Sequence, residues 1–189
     1  MKKLSRKKLD ELAKVMPVLS ETEQKAFVGG TVYCDLSGNY LGKVGVGDDL
    51  KFISQSDFNY YKDNNLEGMG VSLGGLNDAG LEGFIKKHFS FDNKIIRTSE
   101  QSELGAGLTE NGNLKINTNH FAWNNYYDAL SVLEHEAYHY QKRHYTFTGT
   151  ADKIENELET YRYQMHTSTF DKTSKEFQQA TFRYMSQYL

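Results

Sequence analysis

The pentapeptide His135-Glu136-Ala137-Tyr138-His139 contains the residues of this chain that are best suited to chemistry. In a helix its two histidines lie on one side, about 6 Å apart along the axis, so both imidazoles can reach one metal ion. Glu136 points about 100° around the axis from His135, beside the metal ion and not onto it. A carboxylate there can take a proton from a water on the metal. The spacing therefore predicts two zinc ligands and a general base.

A helix is expected around this motif. Asn124-Asn125 offers an N-cap, and no Gly or Pro interrupts the chain as far as about Tyr145. His135 and His139 fall on the border between the apolar and the polar face, where ligands that line a cleft should lie. The alternative is a surface helix on which two histidines and a glutamate happen to meet.

A zinc site of this kind needs a third protein ligand and an open position for water. Downstream, a second helix is predicted from an apolar stripe that consists of Ile154, Leu158, Tyr161 and Met165. Three glutamates lie on that helix: Glu157 is closest to the stripe, Glu155 is further away and Glu159 is furthest. They are the candidate third ligands, and the alternative is that they form a solvated acidic face.

The histidine pair followed by a glutamate-bearing helix resembles the gluzincin branch of the zinc metallopeptidases, whose sites have two His and one Glu. The second helix is also similar to the E-x-x-A-[DY] pattern of small gluzincins, with Glu157 as the ligand. Thr160 stands where alanine is usual, and Tyr161 where an acidic residue is frequent. Thermolysin-like spacing points to Glu159 instead. Glu157 is preferred because it faces inward.

The resemblance implies an α+β, zincin-like fold, in which a small antiparallel or mixed sheet packs on the H-E-x-x-H helix and the glutamate helix. It also implies a Zn²⁺ ion held by His135, His139 and Glu157. Glu136 would then act as the general base in the hydrolysis of a peptide or protein substrate.

A tetrahedral oxyanion on such a pathway needs a donor besides zinc. Tyr161, one turn beyond Glu157, is the predicted donor. His144 and His166 are the alternatives, although helical geometry turns both of them away from the ligands.

The middle of the chain is predicted to be rich in β-structure, with one helix from Asn77-Asp78 to about His88. Strands are expected at 31–35, 40–44, 50–54, 94–98 and 114–118. A closing helix at 173–188 is expected to have an apolar side that consists of Phe177, Ala180, Tyr184 and Leu189. In the zincin family an edge strand above the metal pairs with the extended substrate, and 114–117 is the candidate for that edge strand.

The segment from Leu19 to Gly30 resembles a double-glycine leader of the bacteriocin and peptide-exporter type. The pattern L-S-x-x-E-L-x-x-I-x-G-G is matched at Leu19, Ser20, Glu23, Gly29 and Gly30. Ser20 and Glu23 form a capping box that should start a short helix, and the glycine pair should end it. The alternative is a structural helical hairpin that ends in a Gly-Gly loop.

The resemblance implies that residues 1–30 are a leader, which the peptidase of a dedicated transporter removes after Gly30. Residues 31–189 would then be a secreted metallopeptidase domain, cytoplasmic only before export. The alternatives are a secreted bacteriocin- or toxin-like interaction protein without peptidase turnover, and an intracellular protein with a structural N-terminus.

Composition excludes several classes of function. The net charge of −3 in 189 residues argues against a nucleic-acid partner. No apolar run is long enough for membrane insertion or for a secretory signal peptide. The single cysteine, Cys34, excludes an internal disulfide.

Overall fold

A computed structural model describes residues 30–45, 49–92, 94–98, 105–144 and 149–189. Over these ranges the chain forms a mixed α+β structure with six strands in two small sheets and five α-helices, so the predicted α+β class is confirmed. The strands are β1 Thr31–Cys34, β2 Tyr40–Val44, β3 Leu50–Phe52, β4 Ile95–Thr98, β5 Gly107–Glu110 and β6 Asn113–Asn117. The helices are α1 Gln55–Asp63, α2 Asp78–His88, α3 Tyr126–Lys142, α4 Thr150–Met165 and α5 Lys175–Ser186.

The first sheet has the order β2-β1-β3, with β1 antiparallel to β2 and parallel to β3. The predicted β1–β2 hairpin is confirmed, and Asp35 holds its turn by accepting hydrogen bonds from the backbone N–H groups of Ser37 and Asn39. All four residues of β1 are buried. Gly30 directly precedes this strand and lies close to Gly45. A Cβ added to Gly30 would lie 2.8 Å from the Gly45 carbonyl oxygen. Gly30 therefore has a packing role of its own.

The second sheet has the order β4-β6-β5, which corrects the prediction for residues 114–117. These residues lie in β6, the central strand, which pairs in parallel with β4 and antiparallel with β5. The edge strand beside the H-E-x-x-H helix is β5, for which the sequence analysis predicted no strand. Its short sequence Gly-Leu-Thr-Glu has little β-propensity, and the two-residue turn Asn111-Gly112 with positive φ at both positions joins it to β6.

The middle of the chain contains two α-helices, α1 and α2, whereas one helix is predicted there from the sequence. The Ser54 side chain caps α1 by accepting a hydrogen bond from the Asp57 backbone N–H. Phe58 is the buried residue of this polar helix, so the apolar periodicity that would predict it is almost absent.

The predicted inner faces of the last two helices need correction. On α4, Ile154 is 38% exposed, whereas the buried residues are Thr160 and Gln164. On α5, Phe177 is buried but Tyr184 is exposed, and Leu189, which lies beyond the end of α5, is also exposed. These two buried residues of α4 are polar because their side chains contact His135 and His139 of α3.

Helix α3 begins as predicted. The Asn125 side-chain oxygen accepts hydrogen bonds from the backbone N–H groups of Tyr127 (2.9 Å) and Asp128 (3.2 Å). The helix ends at Lys142, where Arg143 takes the left-handed conformation with φ 57°, three residues before the predicted end. The core beside α3 contains the single tryptophan, Trp123, which is 1% exposed and donates from Nε1 to the Ala106 carbonyl oxygen.

The predicted leader at 1–30 lies outside the described residues except for Gly30. Among the helices that are described, none is both long enough and apolar enough to cross a membrane.

Candidate metal centre

The two motif histidines face each other on α3. His135 and His139 are 8% and 6% exposed, and their Nε2 atoms lie 3.1 Å apart. This is the arrangement that the four-residue spacing predicts, because it brings both rings to one side of the helix.

Of the three candidate glutamates, the structure brings Glu157 to the histidines. Its Oε2 lies 3.8 Å from Nε2 of His135 and 3.6 Å from Nε2 of His139. Glu155 is exposed on the surface of α4. Glu159 points to a different neighbour and accepts a hydrogen bond from the Tyr138 hydroxyl.

The three side chains fit a zinc ion. With Zn–N and Zn–O bonds of about 2.0–2.2 Å, two donor atoms at a tetrahedral zinc are about 3.3 Å apart. The three observed separations are 3.1, 3.6 and 3.8 Å, which small side-chain adjustments bring to this value. Two imidazoles and one carboxylate are also the donor set of catalytic zinc sites that keep a fourth position open.

The Glu157 carboxylate and the two histidines each shift the pKa of their neighbour towards its charged form. Burial raises the pKa of Glu157, but close contacts and charge interactions with His135 and His139 outweigh burial and hold that pKa well below its usual range. Burial lowers the pKa of His135, whereas the nearby Glu157 carboxylate and the Glu136 charge raise it above the ordinary histidine value. Glu157 is therefore a carboxylate at neutral pH and is available as an anionic ligand.

Gln164 and Ser131 hold His135 on the Nδ1 side of its ring, away from the Nε2 atom that faces the cluster. Its Nδ1 lies 3.1 Å from Oε1 of Gln164, and Nε2 of Gln164 donates to the carbonyl oxygen and to Oγ of Ser131, at 3.1 and 3.0 Å. Gln164 is not among the site residues predicted from the sequence. Its place seven residues after Glu157, on the same face of α4, is the signal that points to it.

His139 has a longer contact of the same kind. Its Nδ1 lies 3.5 Å from Oγ1 of Thr160, whose hydroxyl donates to the Asn156 carbonyl oxygen at 2.7 Å. Thr160 therefore places a hydroxyl, where small gluzincins usually have alanine, between α4 and the second histidine.

The predicted general base, Glu136, lies on the cleft side of α3 and is 4% exposed. Its Oε2 accepts a hydrogen bond of 2.9 Å from the Thr109 hydroxyl on β5. An added Cβ on Gly107 would lie 3.0 Å from Cγ of Glu136, so a glycine there lets β5 pass close to this side chain.

Tyr161 lies in the cleft with its ring centroid 4.7 Å from that of His135. Burial and the Glu157 charge raise the pKa of its hydroxyl, so the group remains an O–H donor at neutral pH. The two alternatives lie elsewhere: His144 packs behind His139 with Nε2 towards Glu159, and His166 is exposed at the end of α4.

A cleft of about 320 Å³ opens over the cluster. Strand β5 forms one wall and helix α5 forms another, and the apolar part of the lining includes Phe121, Val132, Phe177 and Ala180. The cluster is thus buried on the protein side and open to a bound molecule on the other. Comparisons of the chain with protein-family models, curated proteins and solved structures found no match.

Proposed function

We propose that this protein is a gluzincin-like zinc metallopeptidase that hydrolyses peptide bonds in the cleft over α3. The observation that carries the proposal is the convergence of His135, His139 and Glu157 at the floor of a cleft that Glu136 also lines. A surface helix with a chance histidine pair would leave both rings in solvent, whereas these rings are buried and meet a half-buried carboxylate.

His135 and His139 would hold the metal through Nε2 and Glu157 through a carboxylate oxygen. Zinc, when bound, supplies a Lewis acid that lowers the pKa of a water towards neutrality and polarises a carbonyl group. One anionic and two neutral ligands leave a net positive charge at the ion, which preserves that Lewis acidity.

Glu136 would act as the proton acceptor. The Thr109 hydroxyl donates to Oε2, which orients the carboxylate and leaves Oε1 to take a proton from the attacking water. The same carboxyl group then passes the proton to the leaving amine. Thr109 thus orients the base, while Tyr161 offers its hydroxyl to the oxyanion that forms at the carbonyl carbon.

An extended substrate would pair with β5. One side of β5 bonds to β6, and no strand of the described ranges bonds to its other side. Residues 105–110 line the cleft, so backbone groups of a peptide could add to this edge and place a carbonyl over the cluster. The proposed substrate-pairing strand is therefore 107–110 and not 114–117, the segment predicted from the sequence.

Single substitutions of the three glutamates by glutamine test the third ligand. We expect Glu157→Gln to weaken zinc binding by roughly 10²-fold, because one anionic ligand becomes a poor neutral donor. Glu155→Gln and Glu159→Gln should change the affinity little, since neither carboxylate belongs to the cluster with His135 and His139. Competition with a chromogenic chelator measures all three affinities. A larger loss at Glu159 would favour the thermolysin-like alignment, and three equally small losses would mean a solvated acidic face.

We also propose that the chain is exported and cut after Gly30. The support is the leader-like pattern at 19–30 and the position of β1, which begins at Thr31. Thr31 is 1% exposed and pairs with Val44, so the bond between Gly30 and Thr31 is protected in the folded domain. Cutting would therefore precede the pairing of β1.

N-terminal sequencing of exported protein tests this proposal, and Thr31 is the expected first residue. Gly29→Val should block processing, because a branched side chain cannot enter a narrow peptidase cleft. Gly29 is the better position to change, since Gly30 also packs against Gly45. The folded full-length chain should resist the leader peptidase that cuts it when it is unfolded. A different N-terminus, or a 31–189 fragment that does not fold, would show that the first thirty residues are structural.

A further inference from the structure

Gln164 is a buried amide that contacts the metal cluster without belonging to it. It lies on α4, two turns beyond Glu157, and is 2% exposed. Its side chain reaches α3 at two points, one turn apart: Ser131 through Nε2 and His135 through Oε1. Burying a glutamine side chain costs free energy unless its polar atoms are hydrogen-bonded. Both Oε1 and Nε2 of Gln164 have hydrogen-bond partners.

Ser131 determines which way round the amide lies. The Ser131 carbonyl oxygen is an acceptor only, and it lies 3.1 Å from Nε2 of Gln164. Reversing the amide would place two oxygen atoms against each other and lose the donation to that carbonyl. The Gln164 carbonyl oxygen is therefore the atom that faces Nδ1 of His135, at 3.1 Å.

An oxygen acceptor 3.1 Å from Nδ1 favours a proton on that nitrogen, because the Glu157 carboxylate lies further away, 3.8 Å from Nε2. A neutral imidazole carries its proton on one ring nitrogen and a lone pair on the other. With the proton on Nδ1, the lone pair lies on Nε2, which is the atom that faces His139 and Glu157. The chain of contacts from Ser131 through Gln164 to His135 thus presents a metal-binding lone pair to the cluster.

We propose that Gln164 is a positioning residue, which fixes His135 as the Nδ1–H tautomer and so prepares Nε2 to bind the metal. The inference rests on the proposed function, since an Nε2 lone pair serves a zinc ligand. The sequence pattern of the zinc site does not assign this role to any residue, and Gln164 lies outside the three predicted ligands.

Two substitutions separate positioning from packing. Gln164→Leu fills the space but gives His135 no acceptor. Gln164→Glu keeps an oxygen acceptor for Nδ1–H but places its other oxygen against the Ser131 carbonyl, which should lower stability. Gln178→Leu is the matched control, because Gln178 also donates to backbone carbonyls, those of Phe170 and Thr173, and lies apart from the histidines.

Three measurements are made on each full-length variant. Long-range ¹H–¹⁵N NMR of metal-free protein at alkaline pH, where the imidazole is neutral, reports which nitrogen of His135 carries the proton. Chelator competition gives the zinc dissociation constant. Chemical denaturation of metal-free protein, followed by Trp123 fluorescence, gives the stability.

We expect wild-type His135 to carry its proton on Nδ1. Gln164→Leu should populate the Nε2–H tautomer and weaken zinc binding roughly 10- to 100-fold, as the loss of a partner to a ligating histidine typically does. Gln164→Glu should keep the tautomer and bind zinc at least as tightly as wild type, even though it is less stable. Gln178→Leu should lose stability alone.

An Nε2–H tautomer in the wild type, or an unchanged zinc affinity in a folded Gln164→Leu variant, would overturn the inference. Equal losses of zinc affinity in the Leu and Glu variants, in proportion to their losses of stability, would reduce Gln164 to a packing residue. Failure of the proposed function has a different signature. If the wild-type protein has the Nδ1–H tautomer and binds zinc tightly but has no peptidase activity, the positioning role of Gln164 stands and the proposed peptidase function is wrong.

Discussion

Glu136→Gln is expected to retain zinc and to lose peptidase activity by roughly 10²- to 10⁴-fold, the usual contribution of a general base. An amide has the shape of the carboxylate and can still accept a hydrogen bond from Thr109 through its oxygen, but it cannot take a proton from water. Glu136 is not among the three side chains whose donor atoms converge, so the metal site should remain whole. The measurements are kcat/KM on a peptide library and the zinc content of the same preparation.

Glu134→Gln is the control for this substitution. It removes the same charge from the same helix, but Glu134 accepts a hydrogen bond from Thr169 and does not line the cleft. Peptidase activity of Glu134→Gln should be close to wild type. Full peptidase activity in Glu136→Gln would contradict the assignment of Glu136 as the general base. Bound zinc without cleavage of any peptide by the wild type would favour the alternative of a secreted interaction protein.

The histidine pair was predictable because one helix carries both residues. Four residues of helix fix the relative positions of His135 and His139, and the Asn125 cap fixes where that helix begins. The position of Glu157 was predictable to the extent that it faces inward on α4. Its 3.6 Å approach to His139 depends on how α4 packs on α3, and sequence spacing does not contain that information.

The edge of the second sheet could not be predicted for a different reason. Strand β6 has the stronger β-pattern, yet β4 pairs with it in parallel on the side away from β5. A parallel pair forms through a long connection, and nothing local in β6 signals it. The weak strand β5 is therefore the one left at the edge, and its Gly107 is explained only by the close approach of Glu136.

The inner face of α4 shows the same limit within one helix. Apolar periodicity pointed to Ile154, but Thr160 and Gln164 are the buried residues because the neighbouring surface of α3 presents imidazoles. Periodicity assumes that the buried partner is apolar, and at a metal centre the partner is polar. The inner face of α4 is indicated instead by Thr160 and Gln164, which lie one and two helical turns after Glu157.

His139→Ala is expected to abolish stoichiometric zinc binding, whereas the wild type should carry about one zinc per chain. Binding free energies of 10–16 kcal/mol for structural zinc imply about 3 kcal/mol for each of four ligands, so losing one costs roughly 10² in affinity. The substitution also removes one of the two imidazoles that hold the Glu157 carboxylate. Elemental analysis after dialysis against a weak chelator measures the loss, and His166→Ala, which removes an exposed histidine, should keep its metal.

Stability gives a second readout of the same change. A ligand that binds only the folded protein adds about 2.7 kcal/mol at one hundred times its dissociation constant. Wild-type protein should therefore unfold at a higher denaturant concentration with zinc than with a strong chelator, and His139→Ala should show little difference between the two. Trp123, buried beside α3, reports this unfolding by its fluorescence. Stoichiometric zinc in a folded His139→Ala protein would remove His139 from the ligand set, and the four-residue histidine spacing would then have no metal-binding meaning in this chain.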